Sequence, residues 1–86
     1  MTDPDAEARP ALGPAVERLA GVVHAMRMPG GCAWHGELTH GSLVEYLVEE
    51  TYELVEAIEG GAPMALREEL GDLLYQVVLH LSLIHI

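Results

Sequence analysis

The sequence has no lysine, no phenylalanine and only one cysteine among its 86 residues. Its four arginines are set against 14 acidic residues, which gives a formal net charge of −10. Proteins that bind nucleic acids normally carry a basic surface, so this composition argues against a nucleic-acid partner. The single cysteine, Cys32, cannot form a disulfide within the chain, and this suits a reducing compartment.

Long apolar stretches are also missing. The longest one, near Val77–Ile86, is too short to span a bilayer and contains histidines. The N-terminus is polar and acidic, without the basic and then apolar order of a signal peptide. We therefore expect a cytoplasmic protein with no membrane partner.

What the sequence does contain is helical periodicity. Residues 1–13 are rich in Asp, Pro, Ala and Gly and predict a flexible leader, whereas residues 14–86 predict one domain. From Pro14 to Met28 the apolar residues recur at helical spacing, which predicts a first helix. The glycine-rich segment that continues to Gly41 predicts a loop. A domain this small is only marginally stable alone, and oligomerisation is one common remedy.

Two further helices are predicted after that loop. Ser42 and Glu45 have the spacing of a capping box, which predicts the start of the second helix. Gly60 and Gly61 predict its end, and Pro63 suits the first turn of a third helix. Because the link is so short, the two helices should form an antiparallel hairpin. The predicted fold class is all-α, with a helical hairpin plus an N-terminal helix.

Two pairs of acidic residues share one spacing. Glu50 and Glu53 lie beside the apolar face of the second helix, and Glu69 and Asp72 lie likewise on the third. A helix turns about 100° per residue, so a spacing of three places both carboxylates of a pair on one flank. In an antiparallel hairpin the two pairs can face each other.

Four carboxylates that close would repel one another, and partial burial would increase the cost. A Mg²⁺ or Mn²⁺ ion removes this conflict, because such hard cations prefer oxygen ligands and leave positions for water and phosphates. The alternative is that each pair belongs to an ordinary solvated helix face. The pattern alone leaves both interpretations open.

Other residues with chemical potential give weaker indications. Cys32 and His35 have a Cys-x-x-His spacing, but no second pair of ligands follows for a structural zinc site. Trp34 could be a hydrophobic plug over the helices, a platform for a nucleobase, or both. Arg67 could form a surface ion pair with Glu68, or it could contact a phosphate near the metal.

Three segments together resemble the MazG family of nucleoside triphosphate pyrophosphohydrolases. They are Gly31-Cys32-Ala33-Trp34, Tyr46-Leu47-Val48-Glu49-Glu50-Thr51-Tyr52-Glu53 and Leu66-Arg67-Glu68-Glu69-Leu70-Gly71-Asp72-Leu73-Leu74. The paired motif Glu-Glu-x-x-Glu and Glu-x-x-Asp is specific to that family. The similarity extends from about Val16 to His80.

The resemblance implies an all-α NTP pyrophosphatase fold, similar to a four-helix bundle and usually dimeric. It implies hydrolysis of a nucleoside triphosphate to a nucleoside monophosphate and pyrophosphate with Mg²⁺, or Mn²⁺, as cofactor. The expected partners are therefore the nucleotide substrate and a second copy of the chain.

The resemblance also implies roles for particular residues. The metal ligands of the family match Glu50, Glu53, Glu69 and Asp72. Its substrate-binding positions match Trp34, Tyr46, Glu49, Arg67 and Glu68. Either Glu49 or Glu53 could be the catalytic group that accepts a proton from the attacking water, and the sequence does not decide between them.

Two departures from the family pattern bear on function. The usual Cys-Pro-Trp-Asp is Cys-Ala-Trp-His here, at Ala33 and His35. After His80 the family continues into further helical and basic sequence, which Leu81–Ile86 does not resemble. We therefore expect a truncated chain or a foreign tail, and a domain that is incomplete at its C-terminus. The alternative to an active enzyme is a helical fragment that serves only as a metal-binding or dimerisation module.

Overall fold

The computed structural model describes residues 11–84, and over this range the chain forms helices and no strand. The elements are α1 (Leu12–Arg27), α2 (Ala33–Gly36), α3 (His40–Gly60) and α4 (Pro63–Ile84). The all-α prediction is confirmed. Residues 1–10 of the expected leader lie outside the described residues, and the last two residues of that leader belong to α1.

Helix α1 begins two residues earlier than the sequence predicts. Pro14 lies in its first turn, where a backbone N–H has no partner within the helix, so the missing proline donor does not prevent the earlier start. After α1, the chain turns tightly at Gly31. A Cβ there would overlap the carbonyl oxygens of Ala25 and Met26, so only glycine fits this approach.

The prediction that Ser42 caps α3 is wrong by one turn. The N-cap is Thr39, whose hydroxyl accepts a hydrogen bond from the Ser42 N–H at 3.0 Å. In return, the Ser42 hydroxyl accepts from the Thr39 N–H at 2.9 Å. Thr39 and Ser42 repeat the same three-residue spacing one turn earlier, and this reciprocal pair sets the start of α3 at His40.

The turn between α3 and α4 follows the sequence prediction. Gly61 has a φ of 76°, and its N–H donates to the Ala57 carbonyl at 3.2 Å. This left-handed conformation is strained for residues with a side chain. Pro63 begins α4 after a single further residue, so α3 and α4 pack against each other as an antiparallel hairpin.

Helix α1 packs against α4, and the small core lies where α1, α3 and α4 meet. Its buried residues are Val23, Leu38, Leu43, Val78 and Leu79. The described chain measures 42 × 35 × 18 Å. Exposed aliphatic residues on both α3 and α4 show that one side of the hairpin is uncovered.

That uncovered side carries two aliphatic stripes, which we call the apolar hairpin face. Its side chains are between 37% and 54% exposed, although every one is aliphatic. They are Val44, Val48 and Val55 on α3, and Leu70, Leu74 and Val77 on α4.

None of the helices in residues 11–84 is long and apolar enough to cross a membrane.

Candidate metal centre and nucleotide site

The two acidic pairs meet across the α3–α4 hairpin. One carboxylate oxygen from each of four residues lies within 4.8 Å of the other three. They are Glu50 and Glu53 from α3, and Glu69 and Asp72 from α4. We call this group the acidic cluster. The geometry that the sequence could only suggest, two pairs facing each other, is present in the fold.

The acidic cluster carries an unfavourable electrostatic energy. Partial burial, followed by contact with Glu53 and repulsion from Asp72 and Glu50, raises the pKa of Glu69 to about 6. Partial burial, followed by the charges of Glu53, Asp72 and Glu49, also raises the pKa of Glu50. Each raised pKa means that the ionised carboxylate is disfavoured, because it lies close to other negative charges and is partly shielded from water. A cation at the centre would reverse this effect.

The donor atoms of the cluster suit a hard divalent cation. The Oε2 atoms of Glu50 and Glu69 are buried, and neither has a hydrogen-bond partner among the described residues. Buried oxygen acceptors normally find a partner, so two orphaned carboxylate oxygens in one cluster indicate an unmet ligand. Glu53 and Asp72 are exposed, which leaves that side open to water and to a phosphate.

Glu49 and Glu68 lie on the rim of the acidic cluster. Glu49 is four residues before Glu53, so it lies one turn away on the same flank of α3. Glu68 is the residue before Glu69 and points about 100° away from it. Both side chains are exposed. The charge of Glu49 contributes to the raised pKa of Glu50, which indicates that its carboxylate lies close to the acidic cluster.

Arg67 lies away from the acidic cluster. It is two residues before Glu69, and a displacement of about 200° places it on the opposite side of α4. Its side chain is exposed. The structure therefore does not bring Arg67 together with the other residues that the resemblance assigns to the substrate. Its phosphate contact stays a prediction.

An aromatic cluster adjoins the carboxylates at the N-terminal end of α3. The ring of Trp34 lies edge-on to that of Tyr46, with centroids 5.8 Å apart and an angle of 88° between the planes. Tyr46 is one turn before Glu50 on α3, so this pair borders the acidic cluster. Trp34 is 46% exposed, so its ring is partly covered by protein and partly open to solvent.

The segment around Trp34 is not the plain loop that the glycines predict. It contains the one-turn helix α2, and the residue after Trp34 is tied to α4, because His35 Nε2 is hydrogen-bonded to the Tyr75 hydroxyl. His35 therefore has a partner other than Cys32, whose thiol is free and exposed. Within residues 11–84, the acidic cluster is the group of three or more potential metal ligands that the fold assembles.

Three further polar residues of α4 lie near the site, and helical spacing already places Gln76 and His80 on the same flank as Asp72. Tyr75 was not singled out, although its position three residues after Asp72 places it on the same flank of α4. Gln76 is buried, and its Oε1 has no hydrogen-bond partner among the described residues. One turn farther along α4, His80 Nδ1 lies 2.7 Å from His40 Nδ1 in a stacked pair. Only the helical spacing could have pointed to them.

Comparison with known proteins agrees with this geometry. The family model for the MazG nucleotide pyrophosphohydrolase domain matches residues 38–85, which include α3, α4 and the whole acidic cluster. A nucleoside triphosphate pyrophosphohydrolase/pyrophosphatase MazG from Thermotoga maritima is 48% identical over 64 residues. A nucleoside triphosphate pyrophosphohydrolase from Mycobacterium tuberculosis is 51% identical over 65 residues, and an uncharacterised protein from Streptomyces cacaoi is 56% identical over 64.

These relatives are considerably longer than the chain. The matches cover 74% of the chain but 25% of the Thermotoga protein and 20% of the Mycobacterium protein. For the Streptomyces protein the shares are 73% and 26%. The chain thus spans about a quarter or less of the length of these relatives. The acidic cluster lies within residues 38–85, the part that the family model matches.

Proposed function

This chain belongs to the MazG nucleotide pyrophosphohydrolase family, and we propose that it hydrolyses nucleoside triphosphates to a nucleoside monophosphate and pyrophosphate with a divalent metal ion. The observation that carries this proposal is the meeting of four carboxylates within 4.8 Å across the hairpin. An arrangement so rich in negative charge needs a cation, and the phosphates of a nucleotide need the same cation.

The metal would be held by Glu50, Glu53, Glu69 and Asp72, and Mg²⁺ or Mn²⁺ fits their oxygen donors best. Bound there, it would supply charge neutralisation for the phosphates and activation of the attacking water. The buried oxygens of Glu50 and Glu69 would anchor it from inside the hairpin. The exposed carboxylates of Glu53 and Asp72 would border the side on which the phosphates arrive.

A carboxylate must also accept the proton of the attacking water. Glu53 and Glu49 are the two candidates, and both are exposed on the same flank of α3. Glu49 is not one of the four clustered carboxylates, so its lone pairs remain free for a proton. This favours Glu49 as the base and Glu53 as a metal ligand.

The nucleobase would lie against the aromatic cluster. Trp34 and Tyr46 are both partly exposed, and Tyr46, which contacts Trp34, lies one turn of α3 before Glu50. Stacking on such rings is tolerant of base identity, because every base has an aromatic face. This arrangement would hold the base about one helical turn from the phosphates.

A homodimer is the second part of the proposal. The apolar hairpin face is exposed in the single chain, and two copies could cover it by packing hairpin against hairpin. The result would be a four-helix arrangement with the acidic clusters on its outer flanks. Small domains often need such a contact because their own core is limited.

The proposal is tested by measuring Mg²⁺-dependent pyrophosphate release with Glu53→Gln and a matched control, Glu59→Gln. Glu59 is an exposed glutamate of α3 that lies outside the acidic cluster. We expect the first variant to lose activity by at least about a hundredfold, because it removes a negative ligand from the metal. The control should remain within about twofold of the unchanged protein. Equal activity of both variants at saturating Mg²⁺ would contradict the proposal.

The position of Arg67 favours a second candidate, a module that binds metal or dimerises without catalysis. Arg67 is on the side of α4 away from the acidic cluster, so it is not placed to contact a phosphate there. Arg27 at the end of α1 already donates a hydrogen bond to the Ser82 carbonyl at 2.9 Å. Calorimetric titration of Mg²⁺, with and without a non-hydrolysable nucleoside triphosphate, separates the two candidates. Metal binding that the nucleotide does not strengthen would support the module. Mutual strengthening supports the enzyme.

A further inference from the structure

We propose that the hydrogen bond between His35 and Tyr75 fixes the position of Trp34 at the nucleotide site, so that His35 and Tyr75 are positioning residues for nucleotide binding. The proposal rests on the proposed function only for the identity of what stacks on Trp34. The positional part concerns the chain alone. It can therefore be tested without a substrate.

The first support is the shortness of α2. A helix of four residues cannot hold itself in place, because an isolated single turn is unstable in water. Its backbone is tied towards α1, since the Cys32 N–H donates to the Met26 carbonyl at 2.8 Å. Within residues 11–84, the bond between His35 and Tyr75 is the side-chain hydrogen bond that joins α2 to the hairpin.

The second support is the way in which Trp34 is held. Its ring lies edge-on to His35, with centroids 4.9 Å apart and planes at 84°. On its other side it lies edge-on to Tyr46 at 5.8 Å. Edge-to-face contacts of this kind favour one relative orientation of the two rings. If His35 swings away from Tyr75, Trp34 loses one of the two rings that orient it.

The third support is the chemistry of the pair. Burial, with a smaller contribution from Cys32, raises the pKa of the Tyr75 hydroxyl, so this hydroxyl keeps its proton. It can then donate to Nε2 of a neutral His35, or accept from Nε2 in the other tautomer. A histidine at position 35 meets Tyr75 without adding a carboxylate to the flank of α4 that already carries Asp72. The departure from aspartate at this position thus keeps a further negative charge away from the acidic cluster.

The test compares Tyr75→Phe with Tyr52→Phe. The first removes only the hydroxyl that meets His35, whereas Tyr52 is an exposed tyrosine of α3 that takes no part in the aromatic cluster. Trp34 is the only tryptophan, so its fluorescence and near-ultraviolet circular dichroism report its surroundings directly. In metal-free protein without nucleotide, we expect Tyr75→Phe to shift the emission to longer wavelength and to increase quenching by acrylamide. Tyr52→Phe should leave both unchanged.

The consequence for the substrate is measured with Mg²⁺ present. In the variant, Trp34 would have the orientation that binds the nucleotide in only a fraction of the molecules. The KM then rises by the inverse of that fraction. The loss of one hydrogen bond corresponds to about a threefold to tenfold increase in KM. The kcat should stay within about twofold, because neither His35 nor Tyr75 belongs to the acidic cluster that would hold the phosphates. Tyr52→Phe should not alter either constant.

A second pair of variants guards against a simple loss of folding. His35→Gln keeps a side-chain donor or acceptor near the place of Nε2 and should retain the Trp34 spectra, whereas His35→Leu should reproduce Tyr75→Phe. Far-ultraviolet circular dichroism checks that each variant remains helical. Rescue by glutamine but not by leucine supports positioning through the hydrogen bond rather than through packing.

The outcomes separate this inference from the proposed function. Unchanged Trp34 spectra in both Tyr75→Phe and His35→Leu would overturn the inference, whatever the activity. Altered spectra with an unchanged KM would overturn its substrate part. Altered spectra in a protein that neither binds nor hydrolyses any nucleoside triphosphate would leave the positional role standing and would refute the proposed function.

Discussion

Both sides of the α3–α4 hairpin reach solvent, but they are chemically opposite. One side carries the acidic cluster, in which four carboxylates converge within 4.8 Å. The other is the apolar hairpin face, where aliphatic side chains of both helices are about half exposed. Each is unfavourable in the isolated chain, the first because like charges repel and the second because apolar area meets water.

The difference between the two sides teaches that exposure by itself says little about function. The informative question is which partner would remove the unfavourable free energy of each side. A divalent cation would remove the charge repulsion of the acidic cluster but would not cover the apolar hairpin face. A second copy of the chain would cover only the apolar hairpin face. If this view is right, substitutions on one side should leave the property of the other side unchanged.

The largest effect is expected from Asp72→Asn on the acidic side. It removes one charged ligand and should weaken Mg²⁺ or Mn²⁺ binding about tenfold to a hundredfold. Substitution of residues that only hydrogen-bond to a metal ligand already has effects of that size. Calorimetry measures the affinity directly. The oligomeric state should not change. Metal affinity equal to that of the unchanged protein would remove Asp72 from the site.

The next effect is expected from Val48→Asp on the apolar hairpin face. A charge in the middle of a packed interface costs about 2 kcal/mol or more, which is roughly a thirtyfold weaker dimer. Sedimentation over a range of protein concentrations would detect the loss. Glu45→Gln, an exposed change on the same helix, is the control. Metal affinity per chain should be unchanged in both, and a monomeric unsubstituted protein would refute the dimer.

A smaller effect is expected at the turn that joins the two helices. Gly61→Ala places a Cβ on a residue with a φ of 76° and should destabilise the protein by about 1 kcal/mol. Gly60→Ala, at the neighbouring helical position without a positive φ, should be neutral or slightly stabilising. Thermal or urea unfolding measures both. Equal effects of the two substitutions would contradict the role given to the left-handed turn.

The smallest effect is a pH dependence confined to the acidic side. In the folded protein the pKa of Glu69 is about 6, above the ordinary value of 4.5. Between these two values the folded state binds more protons than the unfolded state, so stability falls as the pH rises. In EDTA, the melting temperature should therefore be higher at pH 5 than at pH 7.5. Glu69→Gln should flatten this dependence, and a melting temperature that rises over the range in EDTA would contradict it.

The regular part of the molecule was accessible from the sequence. The periodicity of apolar residues gave the hairpin, and Gly61 and Pro63 gave its turn, because these signals act within a few residues. The start of α3 was wrong by one turn, because Thr39 offers the same capping chemistry three residues before Ser42. Local signals of equal strength cannot be ranked without knowing what the helix packs against.

The segment around Trp34 could not be predicted in the same way. Its glycines indicate a loop, and nothing local indicates that His35 meets Tyr75, 40 residues away along the chain. The contact between Trp34 and Tyr46 likewise joins α2 to α3. Such contacts depend on how α1 packs against α4, because that packing sets the position of the segment relative to the hairpin.

The sequence by itself determined the all-α class and the hairpin, and helical spacing places each acidic pair on one flank of its helix and Arg67 on another side of α4. Only the tertiary structure decided that the two pairs meet. It alone decided that His35 meets Tyr75 and that Trp34 meets Tyr46. The physical reason is range, since a helix is specified by neighbours a turn apart and a site by contacts between helices.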